Sequence, residues 1–93
     1  MGEKRQEQNF EFSSGVRTDD YQLVLINDDV NTFEYVVETL VKVCQFDYER
    51  AEQCTLITHI KGAYPIMSGE RSDLEKIQYQ LAIRNIHSKL EKK

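Results

Sequence analysis

The chain of 93 residues contains little of what marks several large classes of protein: no tryptophan, one proline, four glycines and two cysteines. Two cysteines do not build a disulfide framework, and the scattered glycines form no phosphate-binding loop. No apolar run approaches the roughly 20 residues needed to cross a membrane. The opening stretch MGEKRQEQNFEFSSG also lacks the apolar core of a signal peptide. We therefore expect one soluble, cytoplasmic domain that associates with no membrane.

Motifs for metal binding and for catalysis are also missing. The two cysteines and two histidines show neither C-x-x-C nor H-x-x-x-H spacing, so we expect no metal ion and no cofactor. The chain contains no G-x-S-x-G turn, and neither cysteine lies in a catalytic signature. Asp28 or Asp29 with His59 could still form an acid/base pair, which leaves a small hydrolase as a less favoured hypothesis. We expect a binding protein without catalytic residues.

Basic charge is scarce as well. Sixteen acidic residues outnumber twelve basic ones and give a net charge of −4, whereas nucleic acids and anionic membranes attract basic surfaces. Residues 21–60 hold seven of the acids and two of the bases, while residues 61–93 hold four acids and seven bases. A charged run is usually only a solvated face, but a binding site in the acidic stretch would favour a cationic ligand. We expect no nucleic-acid partner.

The hydropathy pattern divides the chain into a tail and one domain. Residues 1–20 are mostly polar and include the breaker Ser13-Ser14-Gly15, which predicts a flexible N-terminal extension. The domain is expected over residues 21–93. Its first element is Tyr21–Ile26, an almost wholly apolar run that is typical of a strand covered on both faces. The Asn-Asp-Asp triplet at 27–29 ends this strand because these side chains favour turns.

Two helices are predicted next. Asn31 followed by Glu34 resembles a capping box, and an apolar stripe with helical spacing continues from there to Cys44. Asp47 can cap a second helix, whose end is marked by Gly62.

The remainder predicts two more strands around a third helix. Ala63–Ser68 has the composition of a strand, and Pro65, which has no N–H to donate, should lie at a sheet edge or a bulge. Ser72 with Glu75 resembles another capping box at the start of a helix. Ile86, Ser88 and Leu90 fall two apart, which permits a short last strand. The predicted fold is therefore an α+β sandwich of order β-α-α-β-α-β, with three helices on one face of a three-stranded antiparallel sheet.

One concentration of polar residues is unusual. Asn27, Asp28 and Asp29 follow the first strand, and His59 lies near the end of the second helix. Each has an ordinary interpretation, as a turn former or as a side chain at a helix terminus. Together they offer amide, carboxylate and imidazole acceptors, and acceptors converging on one point suit an ammonium group with its three N–H donors.

Two helix faces are candidates for walls beside these acceptors. Thr55 and His59 are four residues apart, so they share one face of the second helix. Phe33 and Val36 share a face of the first helix. If the two faces meet, a small cavity of mixed polarity lies next to the acceptor cluster.

The same residues resemble the ClpS adaptor family. Tyr21–Glu38 reads Y-Q-L-V-L-I-N-D-D-V-N-T-F-E-Y-V-V-E, which is similar to the family's apolar strand, N-D-D triplet and following helix. Further along, Glu49-Arg50-Ala51, Gln53, His59 and Gly62 match the family's E-R-A…H-x-x-G pattern. The resemblance covers about residues 21–90.

The resemblance implies a function as well as a fold. ClpS proteins resemble the C-terminal domain of a ribosomal stalk protein, are not enzymes, and hold substrates with N-terminal Leu, Phe, Tyr or Trp for delivery to an AAA+ Clp unfoldase, on whose N-terminal domain they dock. By position, the α-amino group would be bound by Asn27, Asp28, Asp29 and His59. The side-chain pocket would be lined by Asn31, Phe33, Val36, Thr55, Thr58 and Ile86. The extension at 1–20 would engage the unfoldase, and we expect a monomer. The alternative is a module of the same fold that docks on a Clp unfoldase or a ribosome-associated partner without reading N-termini.

The sequence departs from the family pattern at three pocket positions. Phe33 stands where methionine is common, which would narrow the pocket. Thr55 and Thr58 replace residues that are often apolar, so we expect a more polar pocket. The stretch after Gly62, including Pro65, fits the family poorly.

Overall fold

The computed structural model describes residues 20–93, so the flexible extension predicted for residues 1–20 lies almost entirely outside the described residues. The elements are β1 (Tyr21–Ile26), α1 (Phe33–Cys44), α2 (Tyr48–Lys61), β2 (Ala63–Gly69), α3 (Arg71–Ala82) and β3 (Ser88–Lys92). This order confirms the predicted β-α-α-β-α-β arrangement. Over residues 20–93, no helix has the length and apolar character needed to span a bilayer.

Within residues 20–93, the sheet has three antiparallel strands in the order β2-β1-β3, with three helices packed on one face. β1 lies in the centre, which explains why its sequence is almost wholly apolar. Leu23 and Leu25 belong to the main core, and Val24, which alternates to the opposite side of the strand, is buried as well. Gln22 and Ile26, on the same side of the strand as Val24, are only half-buried, so the prediction of a strand covered on both faces holds fully for the helix-packed face and in part for the other.

Pro65 lies on the edge strand β2, beside a bulge. The pairing moves from Leu23 opposite Met67 to Val24 opposite Pro65, so Ile66 is the extra residue. Ile66 is only 3% exposed and points into the core. An edge bulge accommodates a residue without an N–H, so both parts of the prediction for Pro65 are confirmed.

The predicted cap of α2 is correct, and the predicted cap of α1 is wrong. Asp47 caps α2 as expected, since its carboxylate accepts from the Arg50 N–H at 2.7 Å. The cap of α1 is Thr32, whose hydroxyl oxygen accepts from the Tyr35 N–H at 3.1 Å. Asn31 was predicted in that role, but its side chain contacts a different part of the fold, described below.

The capping box predicted at Ser72 is also wrong. α3 begins at Arg71, one residue before Ser72, and its cap residue Glu70 makes no side-chain capping bond. The Glu75 carboxylate accepts instead from the Arg71 side chain at 3.0 Å, on the exposed side of the helix. Sequence spacing therefore placed the third helix correctly and its first residue incorrectly.

The core is a single cluster between the sheet and the helices. Its buried members come from every element except β3: Leu23, Leu25, Val37, Leu40, Cys44, Phe46, Ala51, Cys54, Ile66, Leu74, Leu81 and Ile86. Both cysteines are free and buried, as small hydrophobic side chains. Burial raises the pKa of the Cys44 thiol to about 11.

Candidate functional site

A cavity of about 310 Å³ opens where the end of β1, the start of α1 and the last turns of α2 meet. We refer to it as the N-D-D cavity, after the triplet at 27–29. Its lining contains all ten residues that the sequence suggested for a binding site: Asn27, Asp28, Asp29, Asn31, Phe33, Val36, Thr55, Thr58, His59 and Ile86. Three further residues complete it: Leu25, Ile26 and Thr32. The faces of α1 and α2 therefore meet beside the polar triplet, a contact that residue spacing alone does not establish.

One backbone contact explains why distant residues of the triplet and of α2 share this cavity. The Asn27 N–H donates to the Gly62 carbonyl at 2.9 Å. Gly62 ends α2 with a φ of 91°, a conformation that glycine adopts without strain. The end of β1 is thereby attached to the end of α2, and His59, one turn earlier, lies at the cavity rim.

Asp28 organises the loop between β1 and α1. Its Oδ1 accepts from the backbone N–H groups of Val30 at 2.9 Å and Asn31 at 3.0 Å. Its Oδ2 accepts from the Asn31 side-chain amide at 3.2 Å. These donors, above all the Asn31 backbone N–H, lower the pKa of the Asp28 carboxyl from its ordinary value. Asp28 is therefore a fixed anionic group, with much of its acceptor capacity already engaged.

The side chains of the other three acceptors are available to bind a ligand. Among residues 20–93, no side-chain hydrogen bond engages Asn27, Asp29 or His59. Asp29 and His59 are exposed at the rim and Asn27 is half-buried. Asp28 bonds to the loop and not to His59, so the acid/base pair considered from the sequence is not formed.

The walls below the rim are mostly apolar. Ile86 is 1% exposed and Leu25 is also buried, whereas Phe33, beside the opening, is 37% exposed. Thr55 and Thr58 are buried in the wall formed by α2. Their hydroxyls donate to helix carbonyls, Thr55 to Ala51 at 2.8 Å and Thr58 to Cys54 at 2.7 Å. Because these donors are engaged, the wall demands fewer polar partners than the two threonines suggest.

Apart from His59, the ionisable side chains of residues 20–93 that line the cavity are both acidic. Asp28 and Asp29 lie at the rim, and within the part of the chain that the structure describes no lysine or arginine lines the cavity. The arrangement suits a ligand with a cationic head and an apolar body. It also accommodates no obvious metal ion, since residues 20–93 contain no group of three or more His, Cys, Asp or Glu side chains suited to one.

Sequence reasoning missed two kinds of residue. Thr32 lines the cavity but was overlooked because Asn31 took its place as the expected helix cap. Tyr35 and Asn85 lie behind the wall, where they hold the turn that carries Ile86. The φ of 66° at Asn85 fits its residue type, since asparagine tolerates the left-handed conformation that often ends a helix.

A solved structure shares this fold. Agrobacterium tumefaciens ClpS2, determined bound to L-phenylalaninamide, superposes with a TM-score of 0.74 over 78% of this chain and 95% of that chain, at 19% sequence identity. At this identity the match establishes the fold alone.

Curated relatives match a shorter stretch more closely. The ATP-dependent Clp protease adapter proteins ClpS of Escherichia coli O1:K1 and of Citrobacter koseri are each 40% identical over 42 residues, which is 45% of this chain. That stretch spans 40% of the length of these relatives.

The family model gives the widest coverage. The model for the ATP-dependent Clp protease adaptor protein ClpS matches residues 16–90, which includes every element from β1 to the middle of β3 and the whole N-D-D cavity. The resemblance seen in the sequence is therefore confirmed across nearly the whole domain, and the chain belongs to the ClpS family of Clp protease adaptors.

Proposed function

We propose that this adaptor binds proteins through their N-terminal residue and delivers them to an AAA+ Clp unfoldase for degradation. The N-D-D cavity would take the free α-amino group at its rim and a bulky side chain of Leu, Phe, Tyr or Trp in its interior. The observation that carries the proposal is the meeting of an anionic, acceptor-rich rim with apolar walls in one cavity of about 310 Å³.

The rim fits an ammonium group. A peptide α-amino group has a reference pKa of about 7.7–8.0, so most of it is charged at neutral pH. Asn27, Asp29 and His59 offer acceptors that no other side-chain contact among residues 20–93 uses. Asp28 contributes a fixed negative charge and holds the loop that carries its neighbour Asp29. A hydrogen bond to a charged group contributes about 1.5–3 kcal/mol when it is well shielded from water.

The interior fits an apolar side chain. Ile86, Leu25 and Val36 supply apolar surface, and the engaged hydroxyls of the threonines leave few unmet donors. Burying a Leu or Phe side chain contributes roughly 1.5–3 kcal/mol. After the cost of association, micromolar or tighter binding is reasonable. The ligand of the structurally similar ClpS2, L-phenylalaninamide, carries both a free amino group and a phenyl side chain, which supports the same division of roles here.

Delivery involves other parts of the chain. We infer that residues 21–93 form the adaptor domain, which docks on the N-terminal domain of the unfoldase, and that residues 1–20 act as an extension that engages the same partner. This division follows the family membership of the domain.

The decisive experiment compares two fluorescent peptides that begin with phenylalanine and differ only in N-terminal acetylation. The free peptide should bind and the acetylated one should not, because acetylation removes both the charge and two of the three N–H donors. Equal binding of the two peptides would refute recognition of the α-amino group. Binding to a Clp unfoldase together with no binding of either peptide would favour the docking-module hypothesis.

A further inference from the structure

The turn after α3 holds one wall of the N-D-D cavity. The Ile86 N–H donates to the Leu81 carbonyl and the Asn85 N–H donates to the Ala82 carbonyl, each at 3.0 Å. With Asn85 in the left-handed conformation, this pair of bonds is a Schellman motif at the end of the helix. The motif turns the chain so that Ile86 packs in the core near Leu81 and lines the cavity.

Two carbonyls in this turn accept hydrogen bonds from side chains that lie 49 and 54 positions earlier in the sequence. Carbonyls at a helix end have no partner within the helix and must find one elsewhere. The Tyr35 hydroxyl donates to the Arg84 carbonyl at 2.8 Å. The Asn31 side-chain amide donates to the Asn85 carbonyl, also at 2.8 Å.

The bonds also link the wall to the rim. The Asn31 amide that reaches Asn85 simultaneously donates to the Asp28 carboxylate at 3.2 Å. On the far side of Ile86, the His87 carbonyl accepts from the Ile26 N–H at 3.0 Å. Ile86 is thus held from both sides: by Asn31 of the loop before α1 and Tyr35 of α1 through the two side-chain bonds, and by β1 through the backbone.

We propose that Tyr35, together with Asn31, is a positioning residue that fixes the Ile86 wall and so determines which N-terminal side chains fit the cavity. Tyr35 does not line the cavity and acts only through the turn. A fixed wall stays in contact with a small side chain such as leucine, whereas a wall that can move outwards loses that contact and makes room for a larger one such as tryptophan. The inference rests on the proposed function of the cavity.

The test is Tyr35→Phe, which removes one hydroxyl and leaves the ring. Affinities are measured for peptides beginning with Leu and with Trp, each with and without N-acetylation. We expect the ratio of Trp to Leu affinity to rise by about 2- to 12-fold, the range of one net hydrogen bond, while discrimination against acetylated peptides is retained. Tyr79→Phe is the matched control, because Tyr79 is an exposed tyrosine of α3 outside the cavity.

Two further measurements show whether Tyr35 acts through the wall. Hydrogen exchange of the Ile86 amide should be faster in Tyr35→Phe than in Tyr79→Phe, with or without a ligand. A double-mutant cycle with Ile86→Val should be non-additive in the Trp to Leu ratio, as residues coupled through a shared shift of the backbone are. An unchanged ratio, an equal loss for both peptides, or the same shift in Tyr79→Phe would overturn the inference. Equal binding of free and acetylated peptides by the unaltered protein would refute the proposed function, and the selectivity role of Tyr35 with it.

Discussion

Replacing His59 with alanine should weaken binding of every peptide that has a free N-terminus, by about tenfold. His59 lies at the rim of the cavity, so the change removes one acceptor from the ammonium group that all such ligands share. A shielded hydrogen bond to a charged group contributes about 1.5–3 kcal/mol, or roughly 10- to 150-fold in affinity. Because His59 is exposed and water competes for its ring, the lower end of that range is expected.

The assay is fluorescence anisotropy with peptides beginning with Phe, Leu and Trp. His87→Ala is the matched control, since the His87 side chain is exposed and does not line the cavity, and loss of its charge interaction with Asp28 should not weaken the binding of a cation. The melting temperatures of both variants should remain close to that of the unaltered protein, because neither side chain is buried. The reasoning is refuted if His59→Ala changes the preference among the three peptides and not their common affinity, or if His87→Ala weakens binding equally.

Three other changes test separate parts of the structure. Phe33→Ala should widen the opening and admit peptides beginning with Ile or Val, measured as their affinity relative to Phe; an unchanged preference would show that Phe33 only packs. Asp28 has a lowered pKa in the fold, so its stabilising bonds are present above its unfolded pKa of about 3.8 and are lost as the pH falls through the lower, folded value. The urea midpoint of Asp28→Asn should accordingly change less between pH 5 and pH 2 than that of the unaltered protein, and parallel curves would contradict this. The Cys44 thiol, with a pKa of about 11, should react with an alkylating reagent at neutral pH only when the protein unfolds, and rapid labelling of the folded protein would contradict its burial.

Local signals predicted the elements well where the deciding contacts are local. Asp47 caps α2 because its carboxylate reaches the backbone three residues on, a contact that depends on no other part of the chain. Pro65 lies at an edge bulge because its missing N–H excludes it from a central strand. In both cases the chemistry of one residue limits it to very few positions.

The prediction for Asn31 failed for the opposite reason. Asn31 and Thr32 are adjacent and both are good helix caps, so propensity alone does not choose between them. The choice is made by Asn85, which lies 54 positions away in sequence and whose carbonyl takes the Asn31 amide. A contact of this separation leaves no periodic or spacing signal in a single sequence. The misplaced cap and the missed role of Asn31 as a positioning residue therefore have one cause.

The same limit explains how the acceptors at the rim differ from one another. Their residue types suggested acceptors that converge on one ammonium group, yet Asp28 already accepts hydrogen bonds from three donors of its own loop, whereas the side chains of Asn27, Asp29 and His59 accept none among residues 20–93. Hydrogen bonds that Asp28 makes to the loop hold its charge in place before a ligand arrives, so that less ordering has to accompany binding. An aspartate committed to the loop is thus compatible with an ammonium site. Its contribution is a fixed field, and its open neighbours are left to make the direct bonds.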